Sequence, residues 1–278
     1  MAACRWANNS KPSKLKPIMP TPNRALGALT AIIMSLSTLS GVDAQPAKAG
    51  ITNVVLVHGA FADGSSWSKV IPLLEAKGLT VIAVQNPLTS LADDVAAAKR
   101  AIALLNGPVL LVGHSWGGVV ISEAGNDPKV AGLVYVAAFA PDDSQSLVDA
   151  SQGVPPAPGL GEAKPDPAGF LSLTKKGVQE DFAQDLPLAE QNLIWATQGS
   201  WAATATTEKI SKAAWKTKPS WYIAASEDRM INPDLQQIFA KKIKATTLTL
   251  RSSHVPMASQ PDKVAAFILE AASHIKVQ

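Results

Sequence analysis

The sequence has one cysteine, Cys4, and it stands so near the N-terminus that the body of the chain carries no thiol. That excludes an intramolecular disulfide, a thiolate metal ligand in the body and a cysteine nucleophile. Histidine is scarce too: His58, His114, His254 and His274 are all there are. They form no cluster with acidic residues at metal-ligand spacing, so no metal or organic cofactor is implied. No segment after residue 44 approaches the roughly 20 apolar residues of a membrane span. No unit recurs at a fixed period. Such a chain must rely on its core.

A basic excess is also missing once the N-terminus is set apart. Arg5, Lys11, Lys14, Lys16 and Arg24 precede an apolar run, diluted by Ser and Thr, from Ala25 to Val42. Val42-Asp43-Ala44 then offers small residues for cleavage before Gln45. Basic, apolar and cleavage regions in that order read as a secretory leader over residues 1–44, with a retained N-terminal anchor as the competing reading. Ala47-Lys48-Ala49 is a second cleavage candidate, and the lack of an Arg-Arg pair favours general secretion over a twin-arginine route. Five of the 25 Lys+Arg and one of the 22 Asp+Glu lie before residue 45, which leaves 20 against 21 and a net charge of −1. A body so balanced has no basic patch for nucleic acid. The expectation is an exported protein, periplasmic or secreted, with no membrane partner after leader removal. Residues 45–278 suit one domain with a large core. Oligomeric state is left open.

That body alternates short β-rich runs with helix-like stretches. Val54–Val57, Thr80–Val84, Val109–Val112, Leu133–Val136, Ser220–Ala224 and Thr246–Leu250 read as six strands. Trp67–Lys77 has helical spacing and ends at Gly78, Leu91–Leu105 is helical with Ser90 as its N-cap, and helices are expected near 116–124, 233–242 and 261–274. Apolar strands alternating with helices predict a parallel sheet covered on both faces. Little room precedes Val54, so the sheet starts late, without a leading antiparallel hairpin. From about Pro141 to Lys218 the alternation stops. The interruption is rich in Pro and Gly at first and then helical-looking over 177–183, 189–195 and 210–215. It is too long for a plain loop and reads as a lid inserted between two strands. Of Trp195, Trp201 and Trp215 within it, at least two are expected to pack the lid onto the body, and one to line an apolar pocket.

Pro108–Val112 runs into Gly113-His114-Ser115-Trp116-Gly117, and Val119-Val120-Ile121 opens a helix-like stretch. Gly-x-Ser-x-Gly alone is a weak pattern; between strand and helix it reads as a nucleophile elbow with Ser115 at its apex. A serine hydroxyl needs a base, and the base an orienting acid. His114 adjoins the serine and points the wrong way to serve it. His274 sits on a polar C-terminal helix. His58 follows the first strand and shapes the loop His58–Gly64. His254, after the last strand, remains as general acid/base. Asp228, after the strand ending at Ala224, is the favoured acid; Glu227, Asp142 and Asp143 are its rivals, the last two equally readable as helix caps. The amide of Trp116 and that of Ala60, with Phe61 second, are the expected oxyanion donors.

With Val57-His58-Gly59-Ala60-Phe61, Gly113–Gly118, Ser226-Glu227-Asp228 and Ser253-His254 in place, the chain resembles the α/β-hydrolase family over roughly residues 53–275. Within it, the chain looks most like compact small-molecule esterases related to plant methyl-ester esterases and hydroxynitrile lyases. The resemblance implies an α/β-hydrolase fold: a mostly parallel sheet flanked by helices, with a helical cap, here about residues 141–218, inserted after the family's sixth strand. It implies catalytic roles for Ser115, Asp228 and His254 in the family's Ser…Asp…His order, and oxyanion roles for Ala60 and Trp116. The implied function is a serine hydrolase acting on a small carboxylic ester, which is the expected partner. The alternatives are a non-catalytic ligand-binding relative and a perhydrolase or haloperoxidase-type side activity. Dehalogenases and epoxide hydrolases of this fold use a carboxylate where Ser115 stands. The lyases carry a lysine after the catalytic histidine, and Val255 occupies that place.

Overall fold

The computed structural model describes residues 50–275. The expected leader over residues 1–44 and both cleavage candidates lie outside the described residues.

Six strands form one sheet. β1 (Asn53–Val57), β2 (Thr80–Ala83), β3 (Val109–His114) and β4 (Val130–Val136) come before the cap. Within the cap lie β5 (Ala163–Pro165), β6 (Phe170–Leu173) and β7 (Trp201–Ala202), and after it β8 (Ser220–Ala225) and β9 (Thr246–Leu250). The sheet order is β2-β1-β3-β4-β8-β9, and every pairing is parallel. β1, β3 and β8 are buried at every residue, as continuous apolar runs in a two-sided sheet should be. Each fully buried Val or Leu contributes about 1.5–3 kcal/mol, so these strands anchor the core. Strand order reverses between β1 and β3, and loops at such a switch point diverge and leave a crevice at the C-terminal ends. The loop of His58 and the turn of Ser115 leave the sheet at those two ends.

Helices follow their local signals closely. Ser90 caps Leu91–Leu104 by accepting the Asp93 amide at 3.0 Å. Proline at the first turn, where no amide partner is lost, starts Pro233–Lys242 and Pro261–His274. The helix expected over Trp67–Lys77 is broken: a 3-10 turn, Gly64–Trp67, precedes a short helix, Ile71–Glu75, with Pro72 in its first turn.

The cap follows β4, the fourth of the six sheet strands. Among the described residues no strand precedes β1, which fits a sheet that starts late. The cap is not simply helical. β5, β6 and β7 form a three-stranded antiparallel sheet, its β5–β6 turn held by the Asp166 carboxylate, which accepts the Ala168 and Phe170 amides. Helix does run through Lys175–Gly177, continues as a π-helical turn Val178–Phe182, and returns over Leu188–Thr197. The helix expected over 210–215 is absent except for a 3-10 turn at Ala214–Lys216. The amides there are taken elsewhere: Ile210 by the Gln145 carbonyl, Ser211 by Glu123 and Ala213 by Asp143.

Candidate active site

The turn after β3 places Ser115 at φ +53°, a left-handed conformation that a non-glycine residue holds only under constraint from its surroundings. Gly117 supplies that constraint. A Cβ there would come within 2.5 Å of the Val57 carbonyl oxygen, so only glycine lets the elbow lie against β1. Gly59 does the same from the other side, where a Cβ would stand 2.7 Å from the Ser115 Cβ. Ser115 is 8% exposed, and its hydroxyl makes no hydrogen bond to a described residue.

Asp228 and His254 meet in the interior. The ring Nδ1–H donates to Asp228 Oδ2 at 2.7 Å. The carboxylate is fully engaged: Oδ1 accepts the Met230 and Ile231 amides at 2.7 and 2.9 Å, and Oδ2 also accepts Gln236 Nε2 at 2.7 Å. Gln236, completely buried, accepts the Ala225 amide with its own oxygen. This glutamine escaped the sequence reading. Its signal was a polar residue on the buried face of Pro233–Lys242, between Leu235 and Phe239. The rival acids lie elsewhere: Glu227 pairs with Arg251 on the surface, and Asp142 and Asp143 pair with Lys216 at the foot of the cap rather than capping a helix. His274 is exposed, as expected.

His114 makes no hydrogen bond to the serine, and it has a task the sequence did not show. Its Nε2–H donates to the His254 backbone carbonyl at 2.8 Å, tying the elbow strand to the loop after β9. The two rings lie 4.7 Å apart. Burial, with His254 close by, pushes the His114 pKa well below the usual histidine value, so the ring is a neutral donor. His58 is likewise driven down by burial. Its Nε2 accepts the Asn86 amide while its carbonyl accepts the Asn86 side chain, both at 2.9 Å, so the loop after β1 is pinned to the loop after β2. Beyond His58, neither the Ala60 nor the Trp116 amide donates to a described residue. Phe61 sits at φ +59°, a second strained position beside the elbow.

The Trp116 indole donates to Asp94 Oδ2 at 2.7 Å, and Asp94 Oδ1 accepts the Leu88 amide. Trp201 from the cap packs against this indole at 5.1 Å with the planes tilted by 53° and meets the Phe61 ring edge-on at 5.9 Å, but none of the three cap tryptophans lines the cavity described below, contrary to the expectation that one would. Trp215 donates to the Pro141 carbonyl, and Trp195 is 42% exposed. Burial pushes the Asp94 carboxyl up to about 6, with the charges of Asp93 and Glu208 adding to the effect and the two hydrogen bonds opposing it. The folded state therefore holds this proton more tightly than the unfolded chain. Asp94 supports stability at low pH and loses that support as pH rises from 3.8 through about 6, a swing of about 3 kcal/mol. Urea unfolding is expected to show the wild type losing about 2 kcal/mol of this against Asp94→Asn between about pH 4 and about pH 7. A wild type that gains on the variant over this range would refute the assignment.

A cavity of about 310 Å³ adjoins the site. Phe61, His114 and Val255, chain neighbours of Ala60, Ser115 and His254, lie in its wall, with Phe182, Leu193 and Ile194 from the cap. Lys69 of the body and Glu190 of the cap, also wall residues, pair at 2.6 Å. Among the described residues no group of three His, Cys, Asp or Glu is placed to hold a metal ion, and no helix is long and apolar enough to cross a membrane.

Residues 54–267 match the model of the alpha/beta hydrolase family. A pyrethroid hydrolase of Sphingobium wenxiniae is 29% identical, over 79% of this chain and 87% of that protein. Methylesterase 7 of Arabidopsis thaliana is 30% identical, over 78% of this chain and 95% of its own length. The crystal structure of a pyrethroid hydrolase superposes with a TM-score of 0.69, covering 81% of this chain and 98% of that one, at 23% identity, which is a likeness of fold. Parallel sheet, elbow and family match run over the same stretch of sequence, and the chain belongs to the alpha/beta hydrolase family.

Proposed function

We propose that this chain is a carboxylic ester hydrolase with Ser115 as nucleophile, His254 as general base and acid, and Asp228 as the group that orients the imidazole. The observation that carries the reading is the 2.7 Å bond from His254 Nδ1 to a fully engaged Asp228, at the sheet end where Ser115 stands on a strained elbow. With Nδ1 protonated, Nε2 is the basic atom and takes the serine proton as Ser115 Oγ attacks the ester carbonyl. The amides of Ala60 and Trp116, free of other partners, receive the oxyanion. His254 then passes its proton to the leaving alcohol. Water, activated by the same ring, frees the acid from the acyl-serine.

The cavity supports a substrate with one uncharged, largely apolar arm, since Phe61, Phe182, Leu193, Ile194, Val255 and Met257 supply much of its wall. The names of the relatives, a pyrethroid hydrolase and a methylesterase, agree with a small-molecule ester. The leader expected over residues 1–44 would place the activity outside the cytoplasm. Chromogenic esters of rising acyl length test the reading. Turnover is expected to rise with chain length until the cavity is filled and then fall. Failure to hydrolyse any member of the series would overturn it.

A further inference from the structure

The cap touches both loops of the acid–base pair, chiefly through one short segment. Asp181 Oδ1 accepts Arg229 Nε at 2.6 Å. Gln184 Nε2 donates to the Glu227 carbonyl at 2.7 Å. Asp185 Oδ2 accepts the Ser253 amide at 2.9 Å. The Phe182 ring meets the His254 ring at 5.1 Å and 63°. A second cap turn adds the Gly159 amide, which donates to the Arg229 carbonyl at 2.8 Å. Both chain neighbours of Asp228, and the residue before His254, are thus held from the cap, while the Asp228–His254 bond itself is left free. The π-helical turn Val178–Phe182 aims two consecutive side chains at the two loops, Asp181 at the acid's and Phe182 at the base. π turns recur where a helix is bent to serve a site.

We propose that the cap segment Asp181–Asp185 sets the position of the Asp228–His254 pair, with Phe182 and Asp185 as positioning residues. This rests on the hydrolase reading above. The loop carrying His254 follows β9, an edge strand of the sheet, and must reach back past β8 and β4 to the end of β3. A long return of that kind needs an outside brace, and a base displaced by about 1 Å can cost up to a hundredfold in rate. Phe182 blocks the swing of the imidazole on one side, and Asp185 fixes the backbone one residue before it. Both chemical steps use His254, so the brace acts on every substrate alike. A cap that merely walls the cavity would act on long substrates alone.

The test uses the full chain with Asp185→Ala, Asp185→Asn and Phe182→Leu, a short acetate ester and a longer ester, and kcat and KM measured separately. Asp185 is exposed, so its loss leaves the core intact; thermal midpoints verify folding in all three. Asp185→Ala is expected to lower kcat about tenfold on both esters with KM within about twofold. Asp185→Asn, which keeps an acceptor for the Ser253 amide, restores it, and Phe182→Leu repeats the fall in kcat. Wild-type turnover with kcat unchanged in Asp185→Ala and Phe182→Leu, or with only KM for the longer ester raised, overturns this inference alone. A wild type that hydrolyses neither ester overturns the hydrolase reading and this inference with it.

Discussion

Ser115→Ala is expected to abolish labelling by a fluorophosphonate probe and to lower kcat for ester hydrolysis by about 10⁴–10⁶. The fold should not notice. The hydroxyl holds no hydrogen bond to a described residue, and alanine keeps the Cβ that already fits at φ +53°. Unfolding free energy is expected to change by less than about 1 kcal/mol, so lost activity cannot be blamed on lost structure. The residual rate reports what the oxyanion amides and substrate binding supply without a nucleophile. Equal labelling of the two proteins would remove Ser115 from the reaction and with it the whole mechanism.

Asp228→Asn is expected to cost about 10³–10⁴ in kcat with little change in KM. The reason lies in the partners of the carboxylate. The Met230 and Ile231 amides both donate to Oδ1 and demand an oxygen there. An asparagine that satisfies them presents its NH2 where Oδ2 stood, facing two donors, His254 Nδ1–H and Gln236 Nε2. The imidazole can relieve that clash only by moving its proton to Nε2, the atom that must accept the serine proton. The base is then present, in place and in the wrong tautomer. Kinetics across the pH range would check this: a loss smaller than about tenfold at neutral pH would mean that Asp228 does not set the tautomer.

Much of this architecture was legible in the chain. The central strands announced themselves as apolar runs, because both faces of a parallel sheet demand them, while β9, Thr246–Leu250, was marked by β-branched alternation at the sheet edge. Pro233 and Pro261 marked helix starts to the residue. His254 was put forward by its place after the last strand, and the structure brings its ring to 2.7 Å from Asp228. What stayed hidden depends on partners far away in the sequence. His114 looked idle because its acceptor, the His254 carbonyl, is 140 residues on. β7 is two residues long and exists only because Phe170 and Leu171 pair with it, so no local pattern could give it away. Residues 210–215 had the apolar spacing of a helix, but their amides donate to Gln145, Glu123 and Asp143, and only a 3-10 turn follows. Asp94 and Gln236 left a faint signal, each a polar residue on an apolar helix face, which is easily taken for a solvent position.

The cap grips the body on both flanks of Ser115: Trp201 against Trp116 and Phe61 on one, Asp181 to Asp185 on the other. A roof fastened along two walls cannot tilt open like a hinged door without disarming what lies beneath. Molecules must come and go through whatever doorway the walls leave, and girth at that threshold becomes a sieve that operates before any bond is stretched. Breadth of diet in such an enzyme would then change by recarving the doorway, while the machinery inside stays as it is.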